Sequence, residues 1–87
     1  MKAWELLSDP ARWTTGEYAR DANGRIVPHY DEQATCWCAV GAIRKCYPAD
    51  ERFDTIQKLT KVVGKVPDWN DTSDHATVLA KLKELDI

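Results

Sequence analysis

The sequence predicts a mainly α-helical domain, a small α+β fold in which three packed helices carry one short β-hairpin and an N-terminal helical turn. Apolar residues recur with the helical spacing i, i+3, i+4 and i+7 in three segments after residue 34. An Asn-Gly pair between apolar residues, nearer the start of the chain, is typical of a hairpin turn. Because 87 residues can enclose only one modest core, we expect residues 1–87 to form a single compact domain.

The first thirty residues supply the helical turn and the hairpin. The segment KAWELLS has apolar residues at i and i+3 and is followed by Pro10, which ends the turn. The segment GEYARDANGRIVPHY, residues 16–30, is predicted to be a β-hairpin with a type I′-like turn at Asn23 and Gly24. Pro28 has no N–H to donate, so the second strand is expected to be short and to lie at an edge.

Three helices are predicted in the rest of the chain. The first covers residues 34–47 and ends before a proline, and the second covers residues 50–63 and ends before a glycine. The segment KVPDWNDTSD, residues 65–74, is predicted to be a loop. The last helix covers residues 73–85, with Asp71, Thr72 or Ser73 as candidate N-caps.

The helix predicted over residues 34–47 is expected to be the central one. Its apolar stripe comprises Cys36, Ala39, Val40, Ile43 and Tyr47. Gly41 costs about 1 kcal/mol of helix propensity relative to alanine, and it lies among other small residues. We therefore expect neighbouring elements to approach this helix closely.

All three cysteines lie between residues 36 and 46. On a continuous helix, Cys36 and Cys38 would point about 200° apart, and Cys46 would lie about 15 Å further along the axis. No pair could then form a disulfide or share a zinc ion. We expect three reduced, metal-free thiols and no cofactor, with Cys36 buried as a small apolar residue of the core.

A catalytic thiol is the alternative interpretation. A cysteine near a helix N-terminus gains thiolate character, and the stretch QATCW loosely resembles the helix start of papain-like peptidases, with Asn70 and His75 as possible partners. In those enzymes, however, the histidine precedes the asparagine, and one hairpin cannot build the β-barrel that holds it. A thiol hydrolase using Cys36 or Cys38 with His75 is therefore the alternative to a non-enzymatic role.

Three groups of residues together resemble a small family of unknown function encoded by bacteria and their phages. They are WxxGxxARDxxG at residues 13–24, CWCAxGAI at residues 36–43, and WND at residues 69–71 followed by a helix. The resemblance runs from about residue 2 to the C-terminus. It implies a compact domain with the CWCAxGA motif at its centre and the WND loop beside it. It implies no activity, but a phage or mobile-element origin would favour an accessory protein that acts on a host or defence component.

The loop DWNDTSD concentrates acidic residues without matching a calcium loop, because its sixth and twelfth positions are Ser73 and Leu79 where an EF-hand has Gly and Glu. We expect no metal there. Trp69 is instead expected to fill a gap in the core, while Asn70 and Asp71 bond to nearby backbone and cap the last helix.

Composition excludes several classes of partner. The chain is 44% hydrophobic and 30% charged with a net charge of −2, and it has no basic patch with interleaved aromatic residues, so we expect no direct nucleic acid binding. No apolar run approaches the roughly 18–20 residues that cross a bilayer, and because the first ten residues contain no apolar h-region, we expect no signal peptide there. With an odd number of cysteines, the expected compartment is the cytoplasm, which is that of the host cell if a phage encodes the protein.

We therefore predict a small non-enzymatic protein-binding module that modulates or inhibits a host or defence complex, for example an inhibitor of the CRISPR type. Four tryptophans are more than a core of this size needs, and Trp and Arg anchor protein interfaces. Arg20 and Asp21 would either form a local ion pair or belong to the binding surface. The candidate binding residues are Trp13, Arg20, Asp21, Trp69, Asn70 and Asp71.

Overall fold

The computed structural model describes all 87 residues and has five α-helices, one 3-10 turn and a two-stranded sheet. In chain order the elements are α1 (Ala3–Leu6), the 3-10 turn (Pro10–Arg12), β1 (Ala19–Asp21), β2 (Ala34–Trp37), α2 (Ala39–Cys46), α3 (Ala49–Val63), α4 (Val66–Thr72) and α5 (His75–Leu85). The predicted small, mainly helical α+β class is confirmed. None of the helices combines the length and apolar character that a membrane span requires.

The sheet pairs β1 with β2 in antiparallel register, with Ala19 opposite Trp37 and Arg20 opposite Cys36. The prediction that residues 34–37 begin a helix was therefore wrong. Thr35 and Trp37 are strand-favouring residues, and β1 offers them an open edge, so sheet pairing outweighs the helical period of the apolar stripe. The main strand partner of β1 is thus β2, which lies beyond the predicted hairpin.

The chain nevertheless turns back after β1, as the Asn-Gly pair predicted. The Gly24 N–H donates to the Asp21 carbonyl (3.0 Å), and the Val27 N–H donates to the Ala19 carbonyl (3.1 Å). Of the Asn-Gly pair, only Gly24 has positive φ, +79°, whereas a type I′ turn needs it at both central residues. The returning segment forms one isolated β-bridge with β1, between Arg20 and Ile26, and does not continue as a strand.

Helix boundaries differ from the prediction at α2, α4 and α5. Helix α2 begins after Cys38, whose Sγ accepts from the Gly41 N–H at 3.3 Å. The predicted loop contains α4, with Pro67 near its N-terminus, where proline is tolerated because that N–H has no partner within the helix. Helix α5 is capped by Asp74, which accepts from the Thr77 N–H at 2.8 Å, and not by any of the three predicted residues. Helix α3 agrees with its prediction to within one residue.

The core surrounds α2, whose first five residues are all buried. A Cβ built on Gly41 would lie 1.9 Å from the carbonyl oxygen of Tyr18, so the backbone leading into β1 touches the helix at this glycine. The predicted close approach to α2 is confirmed. The C-terminal end is also fixed, because the Ile87 carbonyl accepts from the Ala3 N–H (2.7 Å) and from the Tyr47 hydroxyl.

Candidate functional site

Asn70 is fully buried and connects three segments of the chain. Its Oδ1 accepts from the Trp13 Nε1–H (2.9 Å) and from the Ala39 N–H (3.0 Å), while its Nδ2 donates to the Thr14 carbonyl (3.1 Å) and to the Asp71 Oδ1 (3.2 Å). The Ala39 N–H belongs to the first turn of α2 and has no acceptor within that helix. Asn70 therefore caps α2 from a different helix, and the prediction that it caps the last helix was wrong.

The two neighbours of Asn70 have different surroundings. Asp71 is exposed, and its Oδ1 accepts from the Gly16 N–H at 2.9 Å. Trp69 is half-buried and packs against the core. Asn70 and Asp71 were predicted to bond to nearby backbone, but their backbone partners are distant along the chain: both side chains hold residues 13–16, and Asn70 also binds the Ala39 N–H. Of the six candidate binding residues, the structure thus brings Trp13, Asn70 and Asp71 together.

Arg20 and Asp21 do not form the local ion pair that was one of their predicted roles. The Arg20 guanidinium donates to the carbonyls of Gly24 (3.2 Å) and Thr15 (3.3 Å). The Asp21 carboxylate accepts from two backbone N–H groups of its own turn, at 2.9 Å each. Both side chains therefore fix the loops on either side of β1.

The three cysteines have free thiols in three different environments. Cys38 is 6% exposed, and burial raises the pKa of its thiol although backbone N–H groups of Gly41 and Val40 act in the opposite direction. Burial also raises the pKa of Cys46. Cys36 lies half-buried on β2, so the expectation that it fills the core was wrong and Cys38 has that place. Nowhere do three His, Cys, Asp or Glu side chains converge in a way that could hold a metal ion.

His75 lies at the start of α5, away from hydrogen-bonding contact with any thiol. Its Nε2 is 2.6 Å from the Leu7 carbonyl oxygen and so carries the proton, and its ring centroid is 6.0 Å from that of Trp13. The Cys38 thiol accepts from Gly41, and the Cys36 thiol points to the Arg20 carbonyl at 3.8 Å. A thiol hydrolase needs a thiol–imidazole pair, whereas the hydrogen-bond partners of Cys36, Cys38 and His75 are all backbone groups.

A second cluster, which the sequence did not predict, surrounds the buried His29. Burial and the nearby cations Arg52, Arg44 and Lys45 together lower the pKa of His29. The ring of Tyr30, 71% exposed, packs edge-on against the His29 ring with centroids 5.1 Å apart. The Arg44 guanidinium carbon lies 4.7 Å from the centroid of the exposed Tyr18 ring. We call this surface the aromatic–arginine face and define it as Tyr18, Tyr30, Arg44, Lys45 and Arg52.

The face could not be read from the sequence because its members lie on four separate segments. Only the pair Arg44-Lys45 is a local signal of positive charge. The packing of α2 beside α3 brings Arg52 close to that pair, where its Nε–H donates to the Tyr47 carbonyl at 3.0 Å. A sequence search for a basic patch with interleaved aromatic residues therefore misses it.

Two clefts meet beside this face, at Val40 and Pro67. The smaller cleft has a volume of about 110 Å³, and its other lining residues are Gly16, Glu17, Tyr18, Cys38 and Asp71. The larger cleft, about 460 Å³, lies among α2, α3 and α4, and its other lining residues are Arg44, Ile56, Thr60, Lys65, Val66 and Asp68. The buried Nε of Arg44 has no hydrogen-bond partner.

Comparison with models of known protein families identifies the family of this chain. A model described as "Family of unknown function (DUF6197)" matches residues 1–85, so the chain belongs to that family, in agreement with the predicted resemblance to a family of unknown function. None of the curated proteins and none of the solved structures matches it.

Proposed function

We propose that this member of the DUF6197 family is a small non-enzymatic protein-binding module, an accessory protein of phage or mobile-element origin that modulates or inhibits a host or defence complex. The observation that carries the binding role is the aromatic–arginine face. Tyrosine and arginine are enriched among the residues that dominate binding energy at protein interfaces. Tyr18 and Tyr30 are both exposed on this face, beside three cations.

The energetics favour burial of this face by a partner. Complete burial of a large apolar or aromatic side chain stabilises a complex by about 1.5–3 kcal/mol. Tyr30 is 71% exposed, and Ile26, four residues earlier in the chain, is 61% exposed. Neither of the two ion pairs in the structure involves Arg44, Lys45 or Arg52. A partner with an acidic surface would meet these free cations, which raises the association rate and selects against basic partners.

The inhibitory role and the host cytoplasm as its site of action have separate support. They rest on the phage or mobile-element origin that the sequence resemblance implies, and inhibition of a CRISPR complex is one concrete form. None of the six residues predicted from the sequence belongs to the aromatic–arginine face, and the polar groups of Trp13 and Asn70 are engaged inside the domain.

The test is affinity capture from a nuclease-treated host lysate with quantitative mass spectrometry. Tyr30→Ala removes an exposed ring from the face, and Val62→Ala removes an exposed apolar side chain of α3 that is not part of it. We expect at least one protein to be captured by the wild type and by Val62→Ala and to fall at least about tenfold with Tyr30→Ala. If capture depends on nucleic acid, or if the two variants behave alike, the proposal is wrong.

One experimental result would favour the alternative function, a thiol hydrolase, over a protein-binding module. That result is a fast, single-site reaction of Cys36 or Cys38 with a thiol-directed probe at neutral pH that His75→Ala abolishes.

A further inference from the structure

His29 is a buried histidine whose ring has no hydrogen-bond partner within the domain. Only 8% of the residue is exposed, and its one hydrogen bond uses the backbone, because its carbonyl accepts from the Trp37 Nε1–H at 3.0 Å. The other histidine, His75, differs, since a carbonyl oxygen lies 2.6 Å from its Nε2. A protonated His75 therefore has an acceptor in the fold, whereas a protonated His29 would be a buried charge without one, which is a costly arrangement.

The charges around the His29 ring also act against its protonation. Burial, Arg52 from α3, and Arg44 and Lys45 from α2 all lower the pKa of His29 below its ordinary value of 6.5. No carboxylate opposes these cations, and that of Asp31, the nearest in the chain, accepts from a backbone N–H of its own segment at 2.7 Å. The folded domain therefore holds His29 neutral at pH 7.

The segment that carries His29 is a short turn with few attachments. The Asp31 N–H donates to the Pro28 carbonyl at 3.1 Å, which closes the turn. The Tyr30 ring packs edge-on against the His29 ring, with centroids 5.1 Å apart. One hydrogen bond, that from the Trp37 indole, attaches residues 28–31 to the sheet. The turn can therefore open locally at the loss of this bond and of the packing around His29.

We infer that residues 28–31 form an acid-released turn: protonation of His29 frees the turn from β2, breaks the bond to the Trp37 indole and removes Tyr30 from the aromatic–arginine face. An open turn exposes the imidazole and takes up a proton that the closed turn does not, so falling pH shifts the population towards the open state. The closed turn is stable above pH 6.5 and loses stability as the pH falls below it. The inference concerns the free protein, and only its consequence, weaker partner binding in acid, rests on the proposed function.

The test is an NMR titration of the ¹⁵N-labelled protein from about pH 7.5 to about pH 5. We expect the Trp37 indole N–H to move towards the resonance position of a free indole, with the same midpoint as the His29 ring and below pH 6.5. The amide of Leu59, which is fully buried in α3, should not move. If His29 titrates while the Trp37 indole stays in place, only the ring turns outward and the inference is wrong. If the Leu59 amide moves together with the indole, the domain unfolds as a whole and the inference is also wrong.

Variants assign the transition to one of the two histidines. His29→Phe keeps an aromatic ring against Tyr30 but cannot be protonated, so it should abolish the movement of the Trp37 indole. His75→Gln removes the other titrating ring and should leave that movement unchanged. If His29→Phe does not fold, His29→Gln serves the same purpose. A transition that persists in the folded His29 variant, or that His75→Gln removes, would overturn the inference.

The acid-released turn and the proposed function can fail separately, because the NMR transition is measured without a partner. If the transition occurs but no protein is captured in a Tyr30-dependent way, the inference stands and the proposed function is wrong. If a partner is captured in a Tyr30-dependent way while the Trp37 indole does not respond to pH, the inference alone is wrong.

Discussion

Replacing Asn70 with alanine is expected to lower the free energy of unfolding by about 3 kcal/mol. The variant removes the acceptor of the Ala39 N–H, which belongs to a residue with no exposed surface, and an unpaired buried donor costs about 1–3 kcal/mol. Trp13 and Thr14 also lose their partners, but both are partly exposed and can recruit water, so each adds about 0.5–1 kcal/mol.

The assay is urea denaturation followed by tryptophan fluorescence. For a domain of this size, 3 kcal/mol corresponds to a fall in Tm of roughly 12–24 °C, and it is a large share of the roughly 5–15 kcal/mol of a typical domain. Asn23, the only other asparagine, is exposed, so Asn23→Ala should stay within about 0.5 kcal/mol of the wild type. A loss below about 1 kcal/mol for Asn70→Ala would refute the structural role of the amide.

Asn70→Asp separates the accepting from the donating half of the amide. It keeps an oxygen for Trp13 and Ala39 but replaces the donor by an oxygen that faces Thr14 and Asp71. Burial and the neighbouring carboxylate should raise the pKa of the new acid in the folded state above its unfolded value of about 3.9. The variant should therefore be least stable at neutral pH and recover stability as the pH falls towards 4. A pH-independent deficit would contradict this reasoning.

Four further predictions can be checked on single variants or by labelling. Gly41→Ala places a Cβ 1.9 Å from the Tyr18 carbonyl oxygen and should lower the free energy of unfolding in urea by about 3 kcal/mol. A rise in that free energy would mean that only helix propensity matters at this position. Trp69→Ala should lower the free energy of unfolding by about 3 kcal/mol in the same assay. This is the lower end of the range for removal of a large aromatic side chain, because the Trp69 ring is only half-buried. Wild-type stability together with loss of partner binding would make this segment a recognition surface. Cys38, with its raised pKa, should react slowly with a thiol reagent at neutral pH and rapidly in denaturant, and fast labelling of the folded protein would contradict this. Hydrogen bonds from the side chain and the backbone N–H of Thr77 lower the pKa of Asp74. The stability advantage of the wild type over Asp74→Ala should therefore hold above pH 3.8 and shrink as the pH falls below it. An advantage that does not change with pH would refute the charged cap.

The sequence predicted the features that depend on local chemistry. Helix α3 has an apolar period, acidic residues in its first turn and a glycine at its C-terminal end with φ +81°, so each local signal agrees with its fold. Gly41 was informative for the same reason, since a glycine inside a helical pattern is tolerated only where something must come close.

The sequence failed where tertiary contacts outweigh local patterns. The predicted helix extended back to residue 34 because Cys36 lies one helical turn before Ala39, but Cys36 belongs to β2, and only the presence of β1 beside it decides between strand and helix. Helix α4 was hidden because Pro67 and the acidic residues after it are typical of turns, although they also suit the first turn of a helix. The error at Cys36 followed from the first of these.

The structural motif and the proposed binding face are connected through α2. Asn70 holds the N-terminus of that helix, Gly41 brings its middle against the backbone of Tyr18, and Arg44 then lies over the Tyr18 ring. A change at Asn70 that loosens the N-terminus would therefore also move the arginine, and partner binding would fall without any direct contact. Loss of binding in an Asn70 variant thus identifies no binding residue. A variant of Tyr30, which is exposed and belongs to the face, can separate recognition from folding.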